Sequence, residues 1–409
     1  MNENKKDRWI DQTLNSTVTV KGYGIKAIDV MFIICLWGFG LFIRLKLFPL
    51  VSADYSGFLE PWMEQIQSLG AWKSLGVEIS NYPVAYMYLM SLVSGASDTM
   101  VALKMISVVF DYAASVAMFL LVLNRTESIR KAILGMAIVI LCPTVIIDGA
   151  YWCQCDIIYA CFILFALYFF FKDKDIICML FLGLAFSFKL QTVFVLPFFI
   201  IMWLKKKTVR AGSFLLIPGV YVLMQIPAII AGRSIKDLLL FYFGQADYYP
   251  WGTLEYPNLY VFLDETIDRN HHMNEISSAG ILFCIIFLGF LAYYFYTSKI
   301  KLTDNICISI LLFTVASVVF LLPHMHDRYG FLIDVIAIIY VILRPRKMPI
   351  MAGFMLISLI NYMKYLIGER VVSMPFLAIG QFALIVYVGF DLYKQISEQN
   401  CNSDTEVVS

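Results

Sequence analysis

Long apolar runs alternate with short polar breaks along the chain. Twelve runs are apolar enough to lie in lipid as helices. They fall near residues 27–48, 101–123, 131–149, 156–171, 175–188, 190–204, 211–231, 279–298, 304–322, 331–343, 349–367 and 372–393. Several are short against the about 17–25 residues that a crossing needs. Runs 175–188 and 190–204 predict a tight helical hairpin turning at "FKLQT". The expected fold is an all-α polytopic membrane protein with about 12 transmembrane helices.

One further run, "NYPVAYMYLMSLVSG" at 81–95, decides the sidedness of everything after it. Lys and Arg collect in cytoplasmic loops. With 81–95 excluded from the spans, the loops "NRTESIRK", "KDK", "KKKTVR", "KIK" and "RPRK" join both termini on one side. That side then holds 20 of the 31 Lys and Arg residues. Residues 81–95 are therefore read as a surface helix. The expected organisation is a cytoplasmic tail at 1–26, a membrane domain at 27–393 and a cytoplasmic tail at 394–409. Two long outer loops cover 49–100 and 232–278, with surface helices in the first. The sequons at Asn15 and Asn124 fall on the cytoplasmic side and are expected to be unglycosylated.

Composition agrees with the pattern. The chain has 409 residues, 60% hydrophobic and 15% charged, whereas soluble domains carry about a quarter charged residues. Its net charge of +1 says nothing of partners. Nine cysteines show no zinc-like spacing and are read as small apolar residues. The polar N-terminal stretch and the long first run predict no cleavable signal peptide. Phosphate-loop, metalloprotease and nucleic-acid signatures are lacking, so no nucleic-acid partner is expected.

The chemistry gathers in the predicted outer loops. "SADYSGFLEPWMEQI" carries Asp54, Glu60, Trp62 and Glu64. Asp54 is either a helix cap or a carboxylate free to take a proton from an incoming group; Trp62 offers a ring for sugar stacking. "DGAYWCQCDIIYA" places Asp148, Gln154 and Asp156 beside spans, where ionisable groups are costly. Lys189 and Gln191 sit in "FKLQT"; Lys189 either snorkels or holds an anion. The second long loop is rich in Tyr and Trp, as an interfacial belt or a substrate approach. His271 and His272 form a weak metal tract. "LPHMHDRYG" holds His324, His326, Asp327, Arg328 and Tyr329, and three potential cations there suit a phosphate group. Asp111 and Asp334 lie within spans and need partners; Arg44 either pairs with one of them or meets lipid phosphate.

The ordered set "SADYSGFLEPW", "NYPVAYMYL", "DGAYWCQCDIIYA", "FKLQ", "PNLY" and "MHDRY" resembles bacterial membrane mannosyltransferase-like proteins related to the second mannosyltransferase of GPI-anchor assembly. These belong to the GT-C superfamily of polyprenyl-phosphate-sugar-dependent glycosyltransferases. The resemblance covers roughly residues 27–345. It departs from the family pattern at Asp327, where Glu is usual, at Cys153, where Gly is usual, and at Pro83, one proline where a pair is usual.

The resemblance implies inverting transfer of a hexose, mannose among the options, from a polyprenyl-phosphate donor to a glycan or lipid-linked acceptor at the outer face of the plasma membrane. It implies that Asp54 is the general base. Asn258 and Tyr260 of "PNLY" join Trp62, Glu60, Gln154, Asp156, Lys189, Gln191, His324, His326, Asp327, Arg328 and Tyr329 as substrate-binding candidates. No cofactor is required, although Asp54 and Asp156 are the pair that would hold a divalent ion. The competing reading is a transporter or flippase of lipid-linked sugars; a third is a non-catalytic partner in glycan assembly. Transporters tend to place sites at midplane between repeated halves, whereas here no repeat is visible and the polar groups gather on one side.

Overall fold

The computed structural model describes residues 9–408 except 10, 21, 207–208, 249–250 and 264–268. Tyr249 and Pro250 of the aromatic loop, and the side chain of His271, lie outside the described residues. A hairpin of β1 (Thr17–Val20) and β2 (Tyr23–Lys26) leads into α1 (Ala27–Leu47). The first loop contains α2 (Glu60–Leu69) and α3 (Val84–Val93). The 10-residue α3 is about 15 Å long at 1.5 Å per residue, shorter than a crossing needs, and it buries Val84, Ala85, Tyr86, Met87 and Met90.

Next come α4 (Thr99–Thr126), α5 (Ile129–Leu141), α6 (Asp156–Phe170), α7 (Asp175–Phe188), α8 (Leu196–Lys206) and α9 (Leu216–Ile230). The second loop holds α10 (Ile235–Tyr248) and β3 (Thr253–Leu254). The chain then continues through α11 (Arg269–Thr297), α12 (Asp304–Leu321), β4 (Met325–His326), α13 (Phe331–Leu343), α14 (Met348–Leu366) and α15 (Met374–Val408). Helix α15 runs without a break into the segment expected to be a C-terminal tail.

Each of the twelve apolar runs contains a helix, but twelve spans are not what the lengths support. Among the described residues, seven helices are long and apolar enough to cross a membrane, or eight if α5 and its 45° bent continuation Pro143–Tyr151 form one span. The chain is thus a multi-pass membrane protein. Helices α6, α7 and α13 have 15, 14 and 13 residues, about 20 Å each, against a hydrocarbon core of about 30 Å. Most of α6 and nearly all of α13 are buried, whereas α7 exposes Ile176, Ile177 and Leu180. Every residue from Phe331 to Ile342 of α13 is buried, whereas only 11% of the most apolar window of α11 is. Helix α4 packs on α5 and α6, α6 on α7, and α7 on α9; α12 packs on α13 and α15. Hydropathy alone does not separate a core helix from a lipid-facing one.

Two buried cations inside this apolar mass have partners from distant helices or helix ends. Arg44 of α1 donates from Nε to Asp111 Oδ2 of α4 at 2.7 Å, with both side chains fully buried. Its Nη1 reaches the carbonyls of Gly40 and Ile140 at 3.1 and 2.9 Å. Lys104 Nζ donates to the carbonyls of Leu47, Phe48 and Leu50, covering orphan acceptors where α1 ends. Of the two partners considered for Arg44, Asp111 is the one it meets; Asp334 is buried on α13.

Asp111→Ala leaves a buried guanidinium without its counter-charge, which costs about 3–5 kcal/mol. The expected result is a large drop in the unfolding temperature of the detergent-purified protein, largely recovered in Arg44→Met/Asp111→Leu. An equal drop in both would remove the pair from the stability of the bundle.

Candidate functional site

Four separate segments converge on one point. In the first, Ser52 takes the capping role considered for Asp54. Its Oγ accepts from the Tyr55 amide at 3.1 Å and donates to the Trp152 carbonyl at 2.8 Å. Asp54 makes no cap bond. Its Oδ2 instead accepts from Gln154 Nε2 at 2.7 Å and from Arg328 Nη1 at 3.0 Å. Both donors use one oxygen, which leaves Oδ1 for another partner.

The second segment is the turn between the bent helix and α6. Ser107 Oγ donates to the Gln154 carbonyl at 2.6 Å, and Gln154 Oε1 accepts from Tyr82 Oη at 2.6 Å. Cys153, where the resemblance expects glycine, has φ 65°. That left-handed conformation carries least strain for glycine, which has no Cβ. Asp156 opens α6 and Lys189 closes α7, at helix ends whose partial charges favour them. They pair at 2.5 Å.

The third segment is the loop 322–330. It is held by a short parallel ladder, Thr253↔Met325 and Leu254↔His326. Asn258 Nδ2 donates to the Leu322 and Gly252 carbonyls, and Tyr260 Oη donates to the Leu321 carbonyl at 2.9 Å. Tyr260 lies so close to α11 that a Cβ on Gly280 would collide with its hydroxyl. Asn361 of α14 ties the Glu255 and Asp327 carbonyls together. The left-handed His324 (φ 60°) and Glu255 (φ 68°) flank this ladder, so unfavourable backbone clusters around the site.

The fourth segment is α10, which walls a cavity of about 760 Å³ with Asp237, Leu240 and Phe243. Of the residues singled out from sequence, Asp54, Trp62, Gln154, Lys189, Gln191, His324, His326, Asp327, Arg328 and Tyr329 line it. Asp156 lies directly behind, 1% exposed. Three expectations are corrected. Glu60 is exposed on α2 and does not line the cavity. Asn258 and Tyr260 do not line it either, because their polar atoms are spent bracing the 322–330 loop.

Arg328 is the hub. It meets Asp54 at 3.0 Å, Asp156 at 3.4 Å and Asp327 at 3.7 Å, and its guanidinium lies 5.0 Å from the ring of the buried Trp152. The expectation of three cations for a phosphate therefore needs revision. Burial, then the positive charges of Arg328 and Lys189, push His326 down to about 3, so its ring is neutral at neutral pH. His324 Nε2 is 2.8 Å from Ser277 Oγ. Lys189 is buried rather than snorkelling; burial works against its charge, but Asp156 outweighs burial and holds the amine above its ordinary value. Burial pushes Asp327 up to about 6 against the pull of Arg328. A divalent ion between Asp54 and Asp156 would have to displace Arg328, which already bridges them.

Residues that sequence reading left without a role also line the cavity, namely Glu78, Asn81, Tyr82, Asp237 and Tyr365. Tyr82 stood inside the quoted "NYP" motif, and its pairing with Gln154 gives that motif a purpose. No family model matches the chain, and no curated protein matches it.

Two groups in the 322–330 loop act oppositely on acid stability. His326 favours the folded state above its ordinary value of about 6.5, and that contribution is lost as pH falls towards about 3. Asp327, raised above the ordinary Asp value, adds stability as pH falls through about 6. From pH 7.5 to 4.5 the unfolding temperature of His326→Gln should fall less than that of the wild type. That of Asp327→Asn should fall more. Identical slopes for all three proteins would contradict the burial of both groups.

Proposed function

We propose that this chain is an integral-membrane inverting glycosyltransferase. It moves a sugar from a polyprenyl-phosphate donor to a glycan or lipid-linked acceptor, with Asp54 as the general base. The observation that carries the reading is the contrast among the carboxylates around Arg328. The Asp54 side chain is 23% exposed, against 1% for Asp156 and 5% for Asp327. One carboxylate is presented to the cavity with one oxygen anchored and one available, and the others lock the guanidinium that anchors it.

In this reading Asp54 Oδ1 accepts the proton of the acceptor hydroxyl as that oxygen attacks the anomeric carbon. The bond to the polyprenyl phosphate breaks on the opposite face, and the leaving phosphate takes the bonding pair. Charge growing on the phosphate is stabilised by cations already in place. Arg328 and Lys189 supply them, while the neutral His326 contributes a hydrogen-bonding ring. Arg328 serves both ends of the reaction. A donor phosphate that draws on the guanidinium loosens its hold on Asp54, which couples donor binding to release of the base.

Trp62 and Tyr82, with ring centroids 5.8 Å apart, offer apolar faces to a sugar. The exposed Leu240 and Phe243 of α10 give the donor tail an apolar path to the cavity. The distribution of Lys and Arg supports placing this cavity on the outer face of the plasma membrane, with both termini cytoplasmic.

Purified wild type and Asp54→Asn would be offered a panel of polyprenyl-phosphate sugars with a glycan extract from the source organism. Asp54→Asn should lose transfer by about 10²–10⁴-fold while keeping donor binding and its unfolding temperature. Equal transfer by the two proteins would remove Asp54 from the chemistry. Donor translocation in liposomes without transfer would put the transporter reading in its place.

A further inference from the structure

A second polar concavity lies at the other end of α13. That helix begins three residues after Arg328 and, at 13 residues, is about 20 Å long, so this concavity is remote from the first cavity. It has a volume of about 540 Å³ and is lined by the short turn Pro345–Lys347, the end of α13, the start of α12 and one face of α15.

Its floor is a single buried carboxylate. Asp391 of α15, 1% exposed, receives four donors. Oδ1 takes Arg344 Nη2 and Lys347 Nζ, each at 2.8 Å. Oδ2 takes Tyr340 Oη at 2.8 Å and Gln395 Nε2 at 3.0 Å. One carboxylate thus fixes two cations side by side. Arg344 Nε is buried with no hydrogen-bond partner. Arg346 and Lys394 add two more cations, and Glu398 is the second carboxylate in the lining. Lys394 meets Glu398 at a loose 3.8 Å with both side chains largely exposed. Four cations therefore stand against two carboxylates, and the carboxylate that is well paired acts as a pin for the cations.

The surroundings are apolar and uncovered. Met348, Val386, Phe390 and Tyr393 beside the concavity are all exposed, and Tyr387 contacts Lys347 through its hydroxyl at 3.1 Å. A rigid cluster of Arg and Lys with exposed apolar and Tyr side chains around it matches an anionic group attached to acyl chains. Phosphate oxygens suit the guanidinium fork, and the flanking residues suit the chains.

We propose that this concavity binds the phosphate headgroup of an anionic phospholipid, on the side of the membrane opposite the first cavity. The site does not depend on the transferase reading.

The test uses the full chain in detergent, titrated with phosphatidylglycerol, phosphatidylcholine or inorganic phosphate, with the unfolding temperature as readout. Arg346→Gln/Lys394→Gln removes the two exposed cations and leaves the Asp391 network intact. Phosphatidylglycerol should stabilise the wild type saturably, and the double variant should need about 10-fold more lipid or more, since each basic side chain contributes about fivefold at an anionic surface. Phosphatidylcholine and inorganic phosphate should give no comparable shift. An equal response of wild type and double variant to phosphatidylglycerol would overturn the site. A shift by phosphatidylcholine of the same size would show general lipid solvation instead. A shift by inorganic phosphate alone would make a soluble phosphate the occupant and overturn the lipid assignment.

Discussion

The pairing of one largely enclosed guanidinium organises the candidate site. Arg328 touches carboxylates from the first loop, from the start of α6 and from its own neighbour, above the ring of Trp152. A charge removed from water is costly unless it is paired and hydrogen-bonded. The converse holds for Asp327, which pairs with Arg328, whereas Asp156 is also held by Lys189. The network therefore exists only when segments far apart in sequence are docked together, Asp54 and Arg328 being separated by 274 positions. This gives the cavity a built wall rather than a collection of surface charges.

That network can sit inside so apolar a protein because some helices are short. Helices α6, α7 and α13 have 15, 14 and 13 residues, and polar groups at or next to their ends meet at the cavity. Asp156 lies at the N-terminal end of α6, Lys189 at the C-terminal end of α7, and Arg328 just before α13. Each charge is placed where the helix's own partial charge or an opposite neighbour offsets its desolvation. Longer helices surround these short ones, and the outer pair α1 and α11 present mostly uncovered apolar faces. The contrast between buried and exposed apolar helices is what makes a polar site tolerable within the bundle.

The same device recurs at the opposite end of α13 with the signs exchanged. There one carboxylate, Asp391, gathers two cations and two neutral donors. At the first cavity one guanidinium gathers three carboxylates. An almost wholly buried helix thus carries an acid-rich cluster at one end and a base-rich cluster at the other.

Much of this was legible in the sequence. Hydropathy located the helices, because lipid and protein interiors both select apolar residues. Charge and motif order drew Asp54, Gln154, Asp156, Lys189 and Arg328 into one set, and these do converge. Hydropathy does not fix the number of spans, since a 13-residue apolar helix reads alike whether lipid or protein surrounds it. The resemblance made Asn258 and Tyr260 binding candidates, although they donate hydrogen bonds to the Leu322 and Leu321 carbonyls. Which polar group faces a cavity and which braces a loop depends on partners distant in sequence. His326 makes the point most plainly: composition offers an imidazole that ionises near neutrality, and burial, with Arg328 and Lys189 beside it, pushes its ionisation well below that. Residue types set what chemistry is available here; desolvation and pairing, which exist only in the folded chain, decide which of it is used.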